Sequence, residues 1–415
     1  MFRYHCILLL ILPLLGMAAA QDPLSELLPD KQATFKLIPG ASRSYVVTLK
    51  EGDVANINWV VSDSVLLKTG VLDPSGKPLE AGGTGNLLFV APTAGRYKVL
   101  FLYDEESEAV DTQSVTIEYS TGFSLPKGSR LKDSRNLAGY NIRIYSAGND
   151  MEGVSTVVFD KGGVKRRILQ DFGSDYIGYS FSDAIESRPT AAARKRAALI
   201  KNTVDKTGNG VPDVMIDYFS GGAHCCFTTL FFDLGPQVQL VSQIDTQHAG
   251  IAPVGINPKG GLRFETHENN FAYWNTCFAC SPMPRVILEF DESVLKPNFD
   301  LLKRRPPSLV ELKEKARKAR EKISLEPYTD DGAQFDEAFW GVMLDLIYTG
   351  NEELAWQYFD LVWPSRKAGK EFFLANFRDV LASSYYGTRD ASSQNGFQNY
   401  WKGFNKILES IKRNQ

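Results

Sequence analysis

Between residues 35 and 119, short hydrophobic runs alternate with polar positions. The runs are rich in β-branched and aromatic residues, and Gly, Pro and Asp separate them, as between the strands of an all-β domain. The pattern predicts a β-sandwich over residues 21–120. Six runs are predicted as strands: 44–49, 54–61, 66–72, 86–91, 96–103 and 114–119.

A second strand-rich block occupies residues 140–300. The polar residues 121–139 before it are predicted to be a linker. Tight loops separate its apolar runs, and residues 187–202 interrupt them with one short helix or loop. The strands are predicted within 140–150, 154–169, 214–220, 226–234, 237–245 and 285–290.

The pattern changes to helical spacing at Pro307 and predicts an all-α domain over residues 301–415. Ser308 and Glu311 form a capping-box signature, which marks the start of a helix. Apolar residues then recur every three or four positions. These are Leu309, Leu312, Ala316, Ala319 and Ile323.

Two adjacent helices are predicted further along this domain. Gly350 ends the first, Asn351 begins the second, and Pro364 stops it. Further helices are predicted within 369–386 and 397–413. Six aromatic residues are predicted to be core, with an aromatic groove for peptide or sugar as the alternative. They are Phe339, Trp340, Trp356, Tyr358, Phe359 and Trp363.

The N-terminus has the pattern of a secretory signal over residues 1–20. Arg3 precedes an apolar run at 7–15, and the small residues Ala18 and Ala20 stand before the expected cleavage. No later stretch has the ~20 apolar residues of a membrane span. We therefore expect a periplasmic or secreted protein without a span in its mature chain.

Charge excludes one class of partner. The chain has 46 Lys and Arg against 49 Asp and Glu, a net charge of −3. No basic excess large enough to neutralise a row of phosphates is visible, so nucleic acid is not expected as a partner. A protein or a polysaccharide of the cell envelope is the expected partner.

Four cysteines follow the signal segment: Cys225, Cys226, Cys277 and Cys280. Export to an oxidising compartment predicts two disulfides, for which three pairings are possible. Neighbouring residues of a strand point to opposite faces, which favours long-range bridges from Cys225 and Cys226 to Cys277 and Cys280. Such bridges would contribute ~3–4 kcal/mol in the chain-entropy model. A zinc site or a redox Cys-x-x-Cys is the weaker alternative.

The N-terminal sandwich resembles the jelly-roll accessory domain at the C-terminal ends of many secreted bacterial peptidases. The resemblance lies in GASRSYVVTLKEGD (40–53), VLDPSGKPL (71–79) and FVAPTAGRYKVLF (89–101). It implies a non-catalytic domain associated with binding or secretion. With its signal sequence, the whole chain resembles an exported bacterial protein.

DKTGNGVPDVMID (205–217) resembles the calcium loop of an FG-GAP or integrin-type β-propeller blade. The spacing places oxygen ligands at alternate positions and a glycine at the sharp turn. The expected ligands of a structural Ca²⁺ are Asp205, Thr207, Asn209, the carbonyl of Val211, and Asp213. With only two carboxylates, the affinity should be weak, about 10⁻⁴–10⁻³ M. The alternative is a metal-free type I turn.

Only one such loop is visible, and a closed propeller needs at least four blades. The block is therefore predicted to be propeller-like or a second sandwich. The expected fold is multidomain, with a jelly-roll sandwich, this disulfide-linked β-domain, and a C-terminal helical domain.

Two further sets of residues in the middle block suggest a catalytic site and a ligand-binding cleft. A metal-dependent hydrolase would gather His224, His248, His267 and Glu268, although no ligand-spaced pair such as His-Glu-x-x-His is present. Tyr273 and Trp274 can line a cleft for sugar or peptide, or they cover a small core.

Two functional hypotheses follow. The first is an exported, non-enzymatic binding or assembly protein of the cell envelope with a structural calcium site. The alternative is a metal-dependent hydrolase that acts on an envelope or extracellular polymer.

Overall fold

The computed structural model of the chain describes residues 25–62, 67–82, 85–103, 112–148, 153–173, 178–184, 190–222, 226–248, 250–291, 294–328 and 337–387. The predicted signal segment 1–20, the helix predicted within 397–413, His224 and Cys225 lie outside the described residues.

The N-terminal part is a two-sheet sandwich. Its strands are β1 (Ser25–Glu26), β2 (Lys31–Leu37), β3 (Ser42–Leu49), β4 (Val54–Val61), β5 (Leu67–Leu72), β6 (Pro78–Gly82), β7 (Asn86–Val90), β8 (Gly95–Tyr103) and β9 (Gln113–Thr121). One sheet has the strand order β1-β3-β8-β5-β6 and the other the order β2-β9-β4-β7. Inward-facing aliphatic and aromatic side chains of both sheets, among them Tyr97, Phe101 and Ile117, form one core.

Three four-stranded antiparallel sheets follow, each an up-and-down meander in chain order. The first contains β10 (Arg130–Leu137), β11 (Tyr140–Gly148), β12 (Gly153–Lys161) and β13 (Val164–Gly173). The second contains β14 (Gly178–Phe181), β15 (Asp213–Phe219), β16 (Phe227–Leu234) and β17 (Val238–Gln247). The third contains β18 (Ala252–Ile256), β19 (Leu262–His267), β20 (Arg285–Asp291) and β21 (Val294–Pro297).

Part of the expected linker is a strand. β10 lies within 121–139 and pairs along its length with β11. Its side chains are mostly exposed, because it is the outer strand of its sheet. An edge strand of this kind has the polar composition of a loop, and the sequence pattern therefore missed it.

The second meander lies between the other two. Val214, Ile216 and Phe232 pack with the first meander in one core, whereas Met215 and Phe231 pack with the third in another. This division follows from strand geometry, since neighbouring side chains point to opposite faces. The described strands form neither a closed barrel nor a closed propeller, so the comparison with a propeller extends only to successive four-stranded sheets.

Salt bridges join the sandwich to the first meander. Arg166 contacts Glu51 at 2.6 Å and Arg167 contacts Glu80 at 2.5 Å. Both arginines lie on β13 and both line one cavity of about 410 Å³ between the sandwich and the first two meanders. A β-bulge at this point of β13 leaves Arg166 without a cross-strand partner, since Arg167 pairs with Phe159 and Lys165 with Asp160.

α1 (Ala191–Asn202) lies between β14 and β15, where a short helix or loop was predicted. The C-terminal part is helical, as predicted. Its helices are α2 (Leu309–Arg320), α3 (Glu337–Tyr348), α4 (Glu352–Val362) and α5 (Lys370–Ser383). The capping box of Ser308 and Glu311 is present at the start of α2. Leu309 is 59% exposed, because it lies in the first turn before the buried face begins. None of the described helices is long and apolar enough to cross a membrane.

The helices and the third meander share one hydrophobic core. Phe271, which follows β19, contacts the rings of Trp340, Trp274 and Phe377. Of the six aromatic residues predicted to be core, five are buried and Trp356 is partly buried against the same cluster. The helical domain is therefore packed on the β-structure through buried aromatic contacts.

Replacement of Phe271 by Ala should destabilise the third meander and the helices together. Loss of a fully buried phenylalanine typically costs about 3–5 kcal/mol. Urea unfolding should be followed by far-UV circular dichroism and tryptophan fluorescence, with Val60→Ala as a control at a 73% exposed site. Unchanged midpoints in Phe271→Ala would contradict the shared core.

Candidate functional site

The loop between α1 and β15 is organised by the carboxylate of Asp205. Its Oδ1 accepts the backbone N–H of Gly208 at 2.6 Å and of Asn209 at 3.2 Å, and its Oδ2 accepts that of Gly210 at 2.7 Å. Gly208 and Gly210 have φ of +78° and +90°. Glycine adopts these angles without the steric cost that a side chain adds, so the two glycines allow the tight turn.

Two carboxylates meet where this loop enters the sheet. Asp213 begins β15 and pairs in register with Asp233 on β16. The Oδ2 of Asp213 accepts the backbone N–H of Lys206 at 2.6 Å and of Thr207 at 2.8 Å. Its Oδ1 is buried and has no hydrogen-bond partner among the described residues. Like charges directly opposite each other destabilise a sheet, so the pair requires a proton or a cation.

The electrostatics of the pair agree with this requirement. Burial, with the neighbouring carboxyl group of Asp233 next, raises the pKa of Asp213 to about 8. The ammonium of Lys206 is bonded to the carbonyls of Thr203 at 3.0 Å and Asp213 at 2.6 Å. Burial lowers the pKa of Lys206. Asn209 adds a neutral donor, since its Nδ2 lies 3.0 Å from an oxygen of Asp233.

The loop also joins the second meander to the third. The N–H of Leu262 donates to the carbonyl of Lys206 at 2.7 Å. A Cβ at Gly261 would lie 2.8 Å from the carbonyl carbon and oxygen of Thr207. Only glycine allows this approach, so the position of the loop is tied to the turn before β19.

The predicted calcium ligands are therefore neighbours on one loop, with Asp233 added from the next strand. Among the described residues, no three His, Cys, Asp or Glu side chains converge to hold a metal ion by themselves. The buried, unpaired oxygen of Asp213 beside Asp233 nevertheless fits a hard cation, which binds carboxylate, amide and carbonyl oxygens. A cation here would depend on that pair and on neutral oxygens of the loop.

Glu268 does not face a cleft, contrary to its role in the hydrolase hypothesis. It is 1% exposed. Its Oε2 accepts from the hydroxyl of Tyr348 at 2.7 Å and from the N–H of Tyr385 at 2.8 Å, and its Oε1 accepts from the N–H of Asn270. Burial, with the charge of Glu268 next, raises the pKa of Tyr348. The carboxylate serves as a structural acceptor between β19 and the helices.

His248 and His267, the two histidines that the structure describes after the signal segment, do not form a metal-holding group with Glu268. His248 is exposed, and its ring contacts that of Phe278 at 5.1 Å. His267 is half-buried and pairs in register with Arg285. The structure thus gives no described set of His248, His267 and Glu268 that holds a metal.

The predicted long-range disulfide pairing is wrong. Cys277 and Cys280 are bonded to each other, with their Cα atoms 5.1 Å apart. The chain forms a 3-10 turn at Phe278–Cys280, and such a turn brings residues three apart together. Cys226 is also disulfide-bonded, and its partner lies outside the described residues.

Exposed rings and disulfides meet at one end of the second meander. We call the group of Cys226, His248, Tyr273, Cys277, Phe278 and Cys280 the aromatic–disulfide patch. Phe227 pairs with Gln247 at this end, and Cys226 and His248 are the residues that flank this pair in the chain. Phe278 contacts both His248 and Tyr273, with the latter ring centroid 5.2 Å away.

Backbone strain is concentrated at this patch. Six non-glycine residues in the described part of the chain have positive φ. Four of them belong to or adjoin the patch: Cys226, Gln247, Tyr273 and Asn275. Residues in such conformations cost about 1–3 kcal/mol each and cluster at functional sites.

The two aromatic residues proposed for ligand contact lie in different environments. Trp274 packs against Trp340 and Phe373, so it belongs to the core, as the alternative interpretation expected. Tyr273 is 57% exposed. Only Tyr273 is therefore placed for contact with a ligand.

Sequence patterns missed Asp233 and the contact between His248 and Phe278. Both depend on which strands pair and in which register, and a local motif does not carry that information. The one available signal for Asp233 is an acidic residue at the end of the strand after the calcium-type loop.

Comparison with known proteins finds no matching family model and no matching curated protein. Solved structures give weak matches. The periplasmic lysozyme inhibitor PliG of Aeromonas hydrophila is 16% identical over 23% of this chain and 96% of its own, with a TM-score of 0.20. The pre-peptidase C-terminal domain of a Bacillus anthracis collagenase is 12% identical over 24% of this chain and 96% of its own, with a TM-score of 0.21.

A further match is the lipase BlEst2 of Bacillus licheniformis in its propeptide form. It is 11% identical over 64% of this chain and 43% of its own, with a TM-score of 0.16. At these TM-scores none of the matches determines the function of the chain.

Replacement of Glu268 by Ala should destabilise the protein, because it leaves the buried N–H of Tyr385 without its acceptor and the buried hydroxyl of Tyr348 with only Ser384. An unsatisfied buried hydrogen-bonding group typically costs about 1–3 kcal/mol. Chemical denaturation measures the loss, and Glu265→Ala, a half-buried residue paired with Arg285, is the matched control. Full stability of Glu268→Ala with loss of a hydrolytic activity would instead favour the hydrolase.

Proposed function

We infer that the chain is an exported, non-enzymatic binding protein of the cell envelope that contacts a protein partner through the aromatic–disulfide patch. The observation that carries this proposal is the exposed Tyr273, held at φ +62° with its ring against Phe278, which in turn contacts His248. Exposed aromatic groups on a rigid support are typical of contact surfaces between proteins. The signal-like N-terminus and the disulfides support a periplasmic or secreted location.

The patch is held rigid by the residues behind it. The N–H of Tyr273 donates to the Oγ of Ser281 at 2.9 Å, and this hydroxyl donates to the carbonyl of Cys277 at 2.9 Å. The next residue, Trp274, is packed in the helical core. A partner therefore meets a preorganised surface, which lowers the entropy lost on binding.

A structural Ca²⁺ is the second part of the proposal. Asp213 and Asp233 would hold it, with the oxygens of the Asp205–Asp213 loop completing the site. The ion supplies positive charge between two buried carboxylates and stabilises the junction of the second and third meanders. Without it, a shared proton fills the same role.

The metal-free protein should lose stability as the pH rises. The pKa of Asp213 is raised from its ordinary value to about 8, so its stabilising contribution is complete below about pH 4 and is lost as the pH approaches 8. The loss is at most about 1.4 kcal/mol per pH unit in this window. Calcium should offset it increasingly above about pH 6, because it binds the deprotonated pair.

Thermal unfolding with chelator and with millimolar calcium across this pH range measures the effect. Asp213→Asn, which mimics the protonated carboxyl, should abolish both the pH dependence and the response to calcium. Asp291→Asn, at an exposed carboxylate paired with Lys259 and Lys296, should keep both. Equal melting curves with chelator and calcium at pH 8 would remove the metal from the proposal.

Tyr273 should cross-link to a partner in the cell envelope. A photoreactive phenylalanine analogue at position 273 should give a defined protein adduct in envelope fractions, whereas the same analogue at the exposed Val60 should give none. With the partner identified, Tyr273→Ala should weaken binding by about 2 kcal/mol, or roughly 30-fold in Kd. Tyr273→Phe should keep most of the affinity, because the ring carries the contact.

Identical adduct patterns at positions 273 and 60, or no adduct at either, would contradict the protein partner. Co-sedimentation with purified peptidoglycan that Tyr273→Ala abolishes, without any protein adduct, would identify a polysaccharide as the partner instead.

A further inference from the structure

The Cys277–Cys280 disulfide contributes little to the fold. In the chain-entropy model, closing a four-residue loop stabilises by only about 2 kcal/mol, less than the long-range bridges would. The same turn is also closed by hydrogen bonds. The N–H of Cys280 donates to the carbonyl of Cys277 at 3.1 Å, and the N–H of Ser281 to that of Phe278 at 3.0 Å.

These hydrogen bonds preorganise the two sulfurs. With the covalent bond open, the backbone bonds and the ring contacts of Phe278 keep the turn in place. The dithiol form therefore keeps its two thiols close together, which favours reversible closure. Opening and closing require no rearrangement of the surrounding sheets.

The bond is also accessible. The turn Phe278–Cys280 has no buried residue, Cys277 is exposed, and Cys280 is half-buried. Thiol–disulfide exchange requires that an external thiolate reach one sulfur, and exposure is the first condition for it. The ring of His248 lies against Phe278, so a group able to donate or accept a proton adjoins the turn.

A second disulfide lies on the same surface. Cys226 directly precedes β16, whose first pair is Phe227 with Gln247, and His248 follows Gln247. Cys226 and His248 therefore flank the same strand pair, and the ring of His248 contacts Phe278 of the Cys277–Cys280 turn. Cys226 has φ +98° and Gln247 φ +47°, unusual values for residues with side chains. The aromatic–disulfide patch therefore contains disulfide sulfurs, the imidazole of His248 and residues with a strained backbone.

We propose that Cys277 and Cys280 form a thiol–disulfide exchange site that accepts two electrons from an external dithiol. A thiolate of the dithiol attacks Sγ of Cys277, a mixed disulfide forms, and Cys280 leaves as a thiolate that takes up a proton. The second thiol of the dithiol, as its thiolate, then attacks the mixed disulfide and releases the Cys277 thiolate, which is protonated. The protein becomes a dithiol, and the reductant becomes a cyclic disulfide.

This activity is separate from the proposed binding function and does not depend on it. The surroundings are loops and antiparallel strands without the βαβ pattern of a thioredoxin. The site is therefore expected to exchange electrons with a dithiol partner, and not to act as a thioredoxin.

The test is a redox titration of the full-length oxidised protein with reduced and oxidised dithiothreitol. Alkylation of free thiols and peptide mapping by mass spectrometry then locate the reduced pair. Cys277 and Cys280 should be alkylated first and reversibly, while circular dichroism and the Cys226 disulfide remain unchanged. A Cys277–Cys280 bond that resists dithiothreitol until urea unfolds the protein would overturn the proposal, as would peptides that link Cys277 or Cys280 to Cys225 or Cys226.

Single variants test which sulfur is attacked. Cys280→Ser leaves the exposed thiol of Cys277, which should form a mixed disulfide with oxidised glutathione about tenfold faster than the less exposed Cys280 of Cys277→Ser. Equal rates in the two folded variants would contradict attack at Cys277. The wild-type titration decides the proposal if either variant fails to fold.

Discussion

A buried carboxylate holds the β-structure and the helices in one arrangement. Glu268 accepts hydrogen bonds from Tyr348 and Tyr385 on the helical side, and Phe271 follows it into the shared core. A buried charge is tolerated only when its oxygens are paired, so the segment after β19 has one position relative to the helices. Because Trp274 anchors the same segment further along, Tyr273 and the turn that contains Cys277 are displayed at a defined place.

Local patterns predicted the elements whose side chains alternate between core and solvent. The strand 114–119 and the capping box of Ser308 are examples, because each depends on residues close together in the chain. Strands that were missed include β2, β10, β18 and β19. β10 exposes most of its side chains at the edge of a sheet, and β18 contains Pro253 and Gly255, residues that strand patterns disfavour.

The candidate sites also differ in whether a local pattern or the pairing of distant strands brings their residues together. The Asp205–Asp213 loop was recognisable because its spacing is local, and the structure shows a tight turn around Asp205. Asp233 was not recognisable, since its contact with Asp213 depends on the register of β15 and β16. The disulfide pairing was predicted wrongly because the argument from strand faces did not include the 3-10 turn that joins Cys277 to Cys280.

The β15–β16 hairpin connects the two proposed sites and also keeps them apart. Asp213 and Asp233 pair at one end, and Phe219 and Phe227 pair at the other, next to Cys226. Seven residue pairs separate these ends by roughly 20 Å at about 3.3 Å per residue. Screening over such a distance leaves little direct electrostatic effect of a cation on the patch. Any influence of calcium on partner binding must therefore act through the stability of the hairpin, and a patch that binds equally well with and without calcium is compatible with this architecture.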